Sequence, residues 1–272
     1  MTDTPPIDWD EVDAIYDAAR KADVTGDTAT ATVLYRQLLT IDPDDHLGVI
    51  LRLSRLDGTL PEKAPDAYVA TLFDQVAERF EAILVDQLGY AVPLMISQML
   101  TERGVPASNR WLDLGCGTGL CAMALEDQTA HRVGVDLAPT MVEIASELDL
   151  YQELATGEIV EFLVNRPIAA PFDLVTAADV LPYVGALEPL LAALGTHVSA
   201  GSHFVFSTEA LGEDSPCEGF ALGEHKRFAH KRRYYETALN AHGWTVEAAK
   251  SVMVRLEQEE PVMGDLVLAR KH

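Results

Sequence analysis

Apolar positions follow two different rhythms along the chain. In the first sixty residues they recur at helical spacing: residues 9–23 predict one helix, and TATATVLYRQLLTIDPDD predicts a second running to Pro43, with Ala31, Tyr35, Leu38 and Leu39 on one face. HLGVILRLSRLDG opens a third helical stretch that Gly58 stops. Ile15, Ala19, Gly26, Ala31, Tyr35 and Pro43 fall close to the spacing of a tetratricopeptide (TPR) repeat, a helical hairpin of about 34 residues. Such repeats need roughly three units to bury a core. The segment must therefore rest on the remainder of the chain, either as a helical decoration or as a platform for a protein partner.

A Pro-containing stretch, residues 59–67, precedes YVATLFDQVAERFEAILVDQLGYAVP, whose apolar face of Tyr68, Leu72, Val76, Phe80 and Leu84 predicts one long amphipathic helix. From about Asn109 the rhythm changes. RWLDLG, HRVGVDL, a weak YQELA, FDLVTAADVL and HFVFSTEAL read as strands separated by helical stretches, which predicts an α/β fold with a parallel sheet. TVEAAKSVMVRLE and VMGDLVLARK are joined only by QEEP, too short for a crossover, so they predict an antiparallel hairpin. The expected organisation is a helical segment over 1–60, linker and lid helices over 61–100, and an α/β domain over 101–272.

Composition narrows the function classes. The 272 residues are 48% hydrophobic and carry a formal net charge of -23, so the surface as a whole repels nucleic acid and anionic membrane. The exception is HKRFAHKRR, residues 225–233, which holds five basic residues and no acid. Either it begins a helix neutralised by nearby acids, or it edges a pocket in which Arg227 and Arg233 clamp a carboxylate or phosphate. The three cysteines form no CxxC pair, the eight histidines show no HxxxH spacing, and no metal is expected. With no secretory-type N-terminus and no apolar run of membrane-spanning length, the expectation is a cytoplasmic protein.

The sharpest chemical signal is a strand followed by Asp113, Leu114, Gly115, Cys116, Gly117, Thr118 and Gly119, then an apolar helix. A dinucleotide fingerprint wants Gly or Ala where this chain has Leu120. Asp113 beside a pyrophosphate would meet like-charge repulsion of several kcal/mol at an effective dielectric of about 20. The same carboxylate favours a ligand that presents an ammonium and a sulfonium. Asp136 ends the next strand, where an acid accepts hydrogen bonds from both ribose hydroxyls. The combination fits S-adenosylmethionine better than NAD.

WLDLGCGTG and VGVDLAPTMVEIA closely resemble the first two motifs of class I S-adenosylmethionine-dependent methyltransferases, and the terminal hairpin is similar to that family's seven-stranded, Rossmann-like sheet. FDQVAERF resembles the leading helix of the ubiquinone and menaquinone biosynthesis methyltransferases, and with its N-terminus the whole chain resembles bacterial TPR-containing methyltransferases. The resemblance implies that Asp113 contacts the methionine amino group, that Gly115 and Gly117 admit the ligand to the backbone, and that Thr118 helps hold its carboxylate. It places Asp136 on the ribose, Leu137 and Met141 on the adenine face, and Glu158, with Ile159 alongside, at the adenine amino group, Glu153 being the alternative acid. Asp179 would lie beside the donor methyl, or cap the following helix. Tyr68 and Phe80 would belong to a lid over the cofactor, or to the core.

Methyl transfer from a sulfonium needs alignment more than any obligatory residue. Where the acceptor must lose a proton, Asp179, Tyr183, Glu209, His225 and His230 are the candidate bases. Arg227 to His230 reads R-F-A-H, similar to an R-x-A-H stretch of the TPR-containing group, which favours His230 among the histidines. The expected activity is methylation of a small, anionic organic molecule. Alternatives are methylation of a protein recruited by the N-terminal helices, a non-catalytic cofactor-binding regulator, and an NAD-dependent oxidoreductase.

Overall fold

Successive residues of the central strands enter opposite cores, the two-residue period of a sheet covered on both faces. Leu112, Phe204, Phe206, Val267 and Ala269 pack on one face, whereas Trp111, Val205, Leu266 and Leu268 pack on the other. The structure, a computed structural model, describes residues 7–80, 89–167, 170–223, 225–257 and 259–272. Leu84, expected on the apolar face of the lid helix, lies outside the described residues.

Three helices open the chain: α1 (Trp9–Val24), α2 (Thr28–Ile41) and α3 (Val49–Asp57). Asp8 and Asp27 cap the first two through their side chains. Val12, Ala19, Ala31, Tyr35 and Leu38 form the core between them. Leu51 of α3 looks the other way, into a cluster with Tyr68 and Phe228, and this contact seats the helical segment on the sheet domain. The linker is tied to the same surface: Ala64 donates to the Tyr183 carbonyl at 2.9 Å, and Gly185 and Ala186 both donate to the Glu62 carbonyl at 2.8 Å.

The single long helix expected from residue 68 onward is not formed. α4 (Asp66–Asp74) ends after nine residues, and a 3-10 turn follows at Ala77–Arg79. Tertiary packing overrides the helical period here. Val76, Ala77 and Phe80 turn onto Ala138 and Met141, and Asp74 accepts from the Thr140 N–H at 3.0 Å. This segment thereby follows the helix after the second strand instead of continuing straight.

After α5 (Val92–Glu102) the sheet begins with β1 (Ser108–Leu114), α6 (Leu120–Ala124), β2 (Thr129–Asp136), α7 (Pro139–Glu147), β3 (Glu153–Thr156), α8 (Ile159–Asn165), β4 (Phe172–Ala177), α9 (Glu188–Leu194) and β5 (Val198–Ala210). β6 (Phe220–Leu222), β7 (Phe228–His230), α10 (Arg232–Ala241), β8 (Trp244–Glu257) and β9 (Glu260–Lys271) complete the chain. Strands β3, β2, β1, β4 and β5 lie side by side and parallel, then β9 and β8 continue the sheet antiparallel, as the short QEEP connection requires.

Among the described residues the sheet has nine strands where seven were expected. The two additions are β6 and β7, the latter from the basic segment, which form a short hairpin with Phe220 opposite His230 and Leu222 opposite Phe228. β7 then pairs with β5 at Glu209 and Ala210, beyond the point where β4 has ended. Strand order reverses between β1 and β4, both of which start connections toward opposite edges, so a crevice opens at their carboxyl ends.

Candidate active site

The crevice is a cleft of about 1160 Å³ including its mouth. Its first wall is the glycine loop between β1 and α6. Gly115, Gly117 and Gly119 have φ of 67°, 52° and 95°, the left-handed region that side chains avoid. A Cβ on Gly115 would fall 2.4 Å from Cγ2 of Val180, so this position also requires glycine for space. The loop is tied to the end of β2: Gly115 and Cys116 donate to the Val135 carbonyl at 2.8 and 3.0 Å, and Gly117 donates to Asp136 at 2.8 Å. The other Asp136 oxygen accepts from Ala138 at 2.9 Å. Burial nevertheless pushes the Asp136 carboxyl above its ordinary range.

Beneath the loop lies a buried chain of hydroxyls. Trp111 donates its indole N–H to Thr176 at 2.9 Å, Thr176 donates to Asp113 at 2.6 Å, and Tyr151 donates to the other Asp113 oxygen at 2.7 Å. Asp113 is fully buried, and desolvation pushes it up to about 7 against these hydrogen bonds. It does not itself line the cleft. Burial also holds Cys116 and Cys121 far above the ordinary thiol range, which suits packing and not nucleophilic attack.

The remaining positions expected to hold a cofactor are distributed as follows. Thr118, Leu137, Met141, Glu158, Ile159, Asp179 and Phe80 line the same cleft as the glycine loop. Glu158 also caps α8, accepting from the Glu161 N–H at 2.8 Å, and stands 3.6 Å from the Lys63 ammonium. The alternative acid, Glu153, is spent on Arg166 away from the cleft. Tyr68 does not reach the cleft; it lies under Lys226, whose ammonium sits 4.1 Å above the ring centre.

The far wall is charged. Asp179, at φ 58°, occupies a conformation that costs a non-glycine residue about 1 kcal/mol or more, and it donates its N–H to Ser207 at 2.8 Å. Its carboxylate accepts from Arg255 at 3.1 and 3.3 Å. Arg255 also donates to Glu209, and burial of that acid raises its affinity for a proton. Arg255 is only 2% exposed, as is proper for an arginine held between two acids. A register shift in β8 between Met253 and Arg255 explains its direction: Val254 and Arg255, consecutive in a strand, are both buried. Arg227 lines the cleft too, donating to both Glu257 oxygens at 3.0 Å.

The candidate bases and the basic segment separate into distinct places. Tyr183 lines the cleft beside Arg227, and burial pushes its phenol up. His225 is half-exposed, 3.6 Å from Glu257 and outside the cleft. His230 is 1% exposed, with one ring nitrogen 2.6 Å from the Thr208 hydroxyl and the other 2.9 Å from the Gly185 carbonyl. Desolvation lowers it to about 4, so it stays neutral and holds the β5 to β7 junction together. Lys231 is buried on the Ser215 carbonyl at 2.8 Å. Arg233 is exposed on the first turn of α10, paired with Glu218, and the structure does not bring it to the cleft.

Sequence reasoning missed Arg255, Tyr151, Thr176 and Lys63. An arginine inside the apolar run VMVRL was the available signal for Arg255, since a strand this apolar buries what it carries. No local signal marks Tyr151 or Thr176, which matter only because the fold stacks them under Asp113.

Comparison with known proteins agrees with this architecture. A family profile described as a methyltransferase domain matches residues 86–249. The chain is 32% identical over 112 residues to a ubiquinone biosynthesis O-methyltransferase of Xylella fastidiosa, covering 39% of this chain and 45% of that protein. It thus spans about half the length of the curated relatives it matches. Among solved structures, an S-adenosylmethionine-dependent methyltransferase from Clostridium acetobutylicum superposes with a TM-score of 0.53 at 18% identity, covering 74% of this chain and 99% of that one. The [4+2]-cyclase SpnF superposes with a TM-score of 0.58 at 15% identity, covering 75% and 95%. The chain belongs to the methyltransferase domain family, with the class I S-adenosylmethionine-dependent methyltransferase fold.

Proposed function

We propose that the protein transfers a methyl group from S-adenosylmethionine to a small organic acceptor that carries an anionic group. One observation carries the cofactor part: a glycine loop tied to Asp136, with Glu158 on the adjoining wall, facing one cleft. The fit follows from the chemistry of these groups. Asp113 and Asp136 are buried acids whose hydrogen bonds come from hydroxyls and backbone N–H groups, so a cationic ligand gains from them, whereas a pyrophosphate would be repelled.

In this reading Gly115 and Gly117 admit the ligand to the backbone, Asp136 holds the ribose, Leu137, Met141 and Ile159 flank the adenine, and Glu158 receives its amino group. When bound, the cofactor supplies a sulfonium-activated methyl group. The chain contributes alignment and exclusion of water: Phe73, Phe80 and Tyr90 border the cleft, and Asp179 is fixed on the far wall by Arg255. Asp179 and Glu209 are engaged with arginine and His230 lies elsewhere, so positioning, with Tyr183 and Asp179 bordering the acceptor, carries more of the reaction than proton abstraction. The ubiquinone biosynthesis O-methyltransferase among the relatives supports a small organic acceptor, and the guanidinium of Arg227 in the cleft wall supports a negative group on it. The TPR-like helical segment, whose apolar face is spent on its own core and on the sheet domain, supports a structural role over recruitment of a protein substrate.

Titration calorimetry with S-adenosylmethionine, S-adenosylhomocysteine and NADH tests the cofactor. Binding of the first two and not the third is expected. Tight NADH binding without response to the others would overturn the reading.

A further inference from the structure

A second, smaller pocket opens beside the cleft, and its charge is opposite to that of the protein as a whole. Its walls carry Arg52 from α3, and Lys226 and Arg227 from the turn before β7, with Glu257 as the acid among its lining residues. His225 stands at its edge, half-exposed. In a chain of net charge -23, three basic side chains around one acid stand out.

Arg52 and Lys226 are only partly engaged by their neighbours. Arg52 donates Nε to the Tyr16 hydroxyl at 3.1 Å and has its Nη1 3.9 Å from Asp23, which leaves most of its five N–H groups for other partners. Lys226 donates one proton to the Leu47 carbonyl at 3.2 Å and lies over Tyr68. Its backbone is held at φ 60°, a strained value for lysine. Burial first, and then the nearby Arg52, bring its ammonium down to about 8 against the attraction of Asp45. Asp45, the acid behind Lys226, is committed to capping α3 through Val49 and Ile50 at 2.6 and 2.9 Å.

The pocket also adjoins the site already described, with Tyr183 and Arg227 lining both spaces. In the main cleft Arg255 already faces Asp179 and Glu209, whereas Arg227 engages Glu257 through Nη1 and borders the second pocket as well. A molecule whose reacting atom lies beside Asp179 can extend past Tyr183 and place a negative group between Arg52, Lys226 and Arg227.

We propose that this pocket is the seat of the acceptor's anionic group, a carboxylate or a phosphate, and that the N-terminal helical segment completes it through Arg52. The inference rests on the methyltransferase reading and names where substrate selection occurs. The helical segment then acts as a specificity element of the active site.

The test is calorimetric titration of the full chain with inorganic phosphate and, separately, with succinate, alongside S-adenosylhomocysteine. Saturable binding of at least one anion is expected, weakened about tenfold or more in Arg52→Gln and in Lys226→Met, with S-adenosylhomocysteine affinity retained. Lys226→Met keeps an unbranched apolar stem over Tyr68, so it preserves folding if Arg52→Gln does not. Tighter phosphate than succinate binding identifies a phosphate group, and the reverse identifies a carboxylate. S-adenosylhomocysteine binding with no saturable anion, or anion binding unchanged in both variants, would overturn the pocket while sparing the methyltransferase reading. Anion binding in a protein that ignores S-adenosylhomocysteine would overturn the assignment of that group to a methyl acceptor.

Discussion

The two ends of the cleft hold their acids by different means. At the glycine-loop end, Asp136 in the cleft wall and Asp113 buried beneath it accept from backbone N–H groups and hydroxyls, and both have carboxyls raised by burial. At the opposite end, Asp179, Glu209 and Glu257 are set against Arg255 and Arg227. The first arrangement leaves positive charge to be brought by a ligand. The second is internally compensated, so its charges fix geometry, and a charged ligand group must find its partner elsewhere, in the pocket under Arg52.

The sharpest way to break this contrast is to remove one side of the compensated end. Arg255→Met leaves the partly buried Asp179 and Glu209 without their arginine and should lower unfolding free energy by about 2 to 4 kcal/mol in urea titrations, with recovery when both acids are also neutralised. A loss under about 1 kcal/mol would show that the arginine is not needed for compensation.

Asp113 probes the other end through pH. Its native carboxyl, at about 7, binds a proton more tightly than an unfolded aspartate, so its contribution favours folding at low pH and is lost as pH rises from about 4 through 7. The wild type should therefore lose on the order of 2 to 4 kcal/mol relative to Asp113→Asn between pH 4 and pH 8 in the absence of cofactor, as read from urea midpoints. Parallel pH profiles would remove the burial argument for this acid.

Smaller effects separate ligand contact from support. Asp136→Ala should weaken S-adenosylhomocysteine binding by about 1 to 3 kcal/mol by calorimetry, through lost hydrogen bonds to a charged group. An unchanged affinity would misplace the ribose. Arg233→Ala, on an exposed pair with Glu218, should change stability by less than about 0.5 kcal/mol and leave cofactor binding intact.

What the sequence made legible follows the same division. The glycine loop, Asp136 and Glu158 sit at the ends of consecutive elements, so short motifs sufficed to place them around one cleft. The parallel sheet and the terminal hairpin were equally readable, because alternation and loop length are local properties. The far wall was not readable. Asp179, Arg227 and Arg255 meet only through pairing of β4, β5, β8 and β9, and the bulge that aims Arg255 leaves no mark in composition. The basic segment shows the cost of reading a charge run as one unit: Lys226 and Arg227 face a pocket, His230 and Lys231 are buried, and Arg233 faces solvent. The lid failed for a related reason, since contacts with α7 bend it at Val76 despite an unbroken helical pattern.

The most direct measurement is a crystal structure with S-adenosylhomocysteine. The account predicts its ribose hydroxyls on Asp136, its adenine between Met141 and Ile159 with the amino group at Glu158, and its sulfur directed toward the wall that holds Asp179 and Tyr183. A ligand seated elsewhere, or one whose ribose lies away from Asp136, would contradict it.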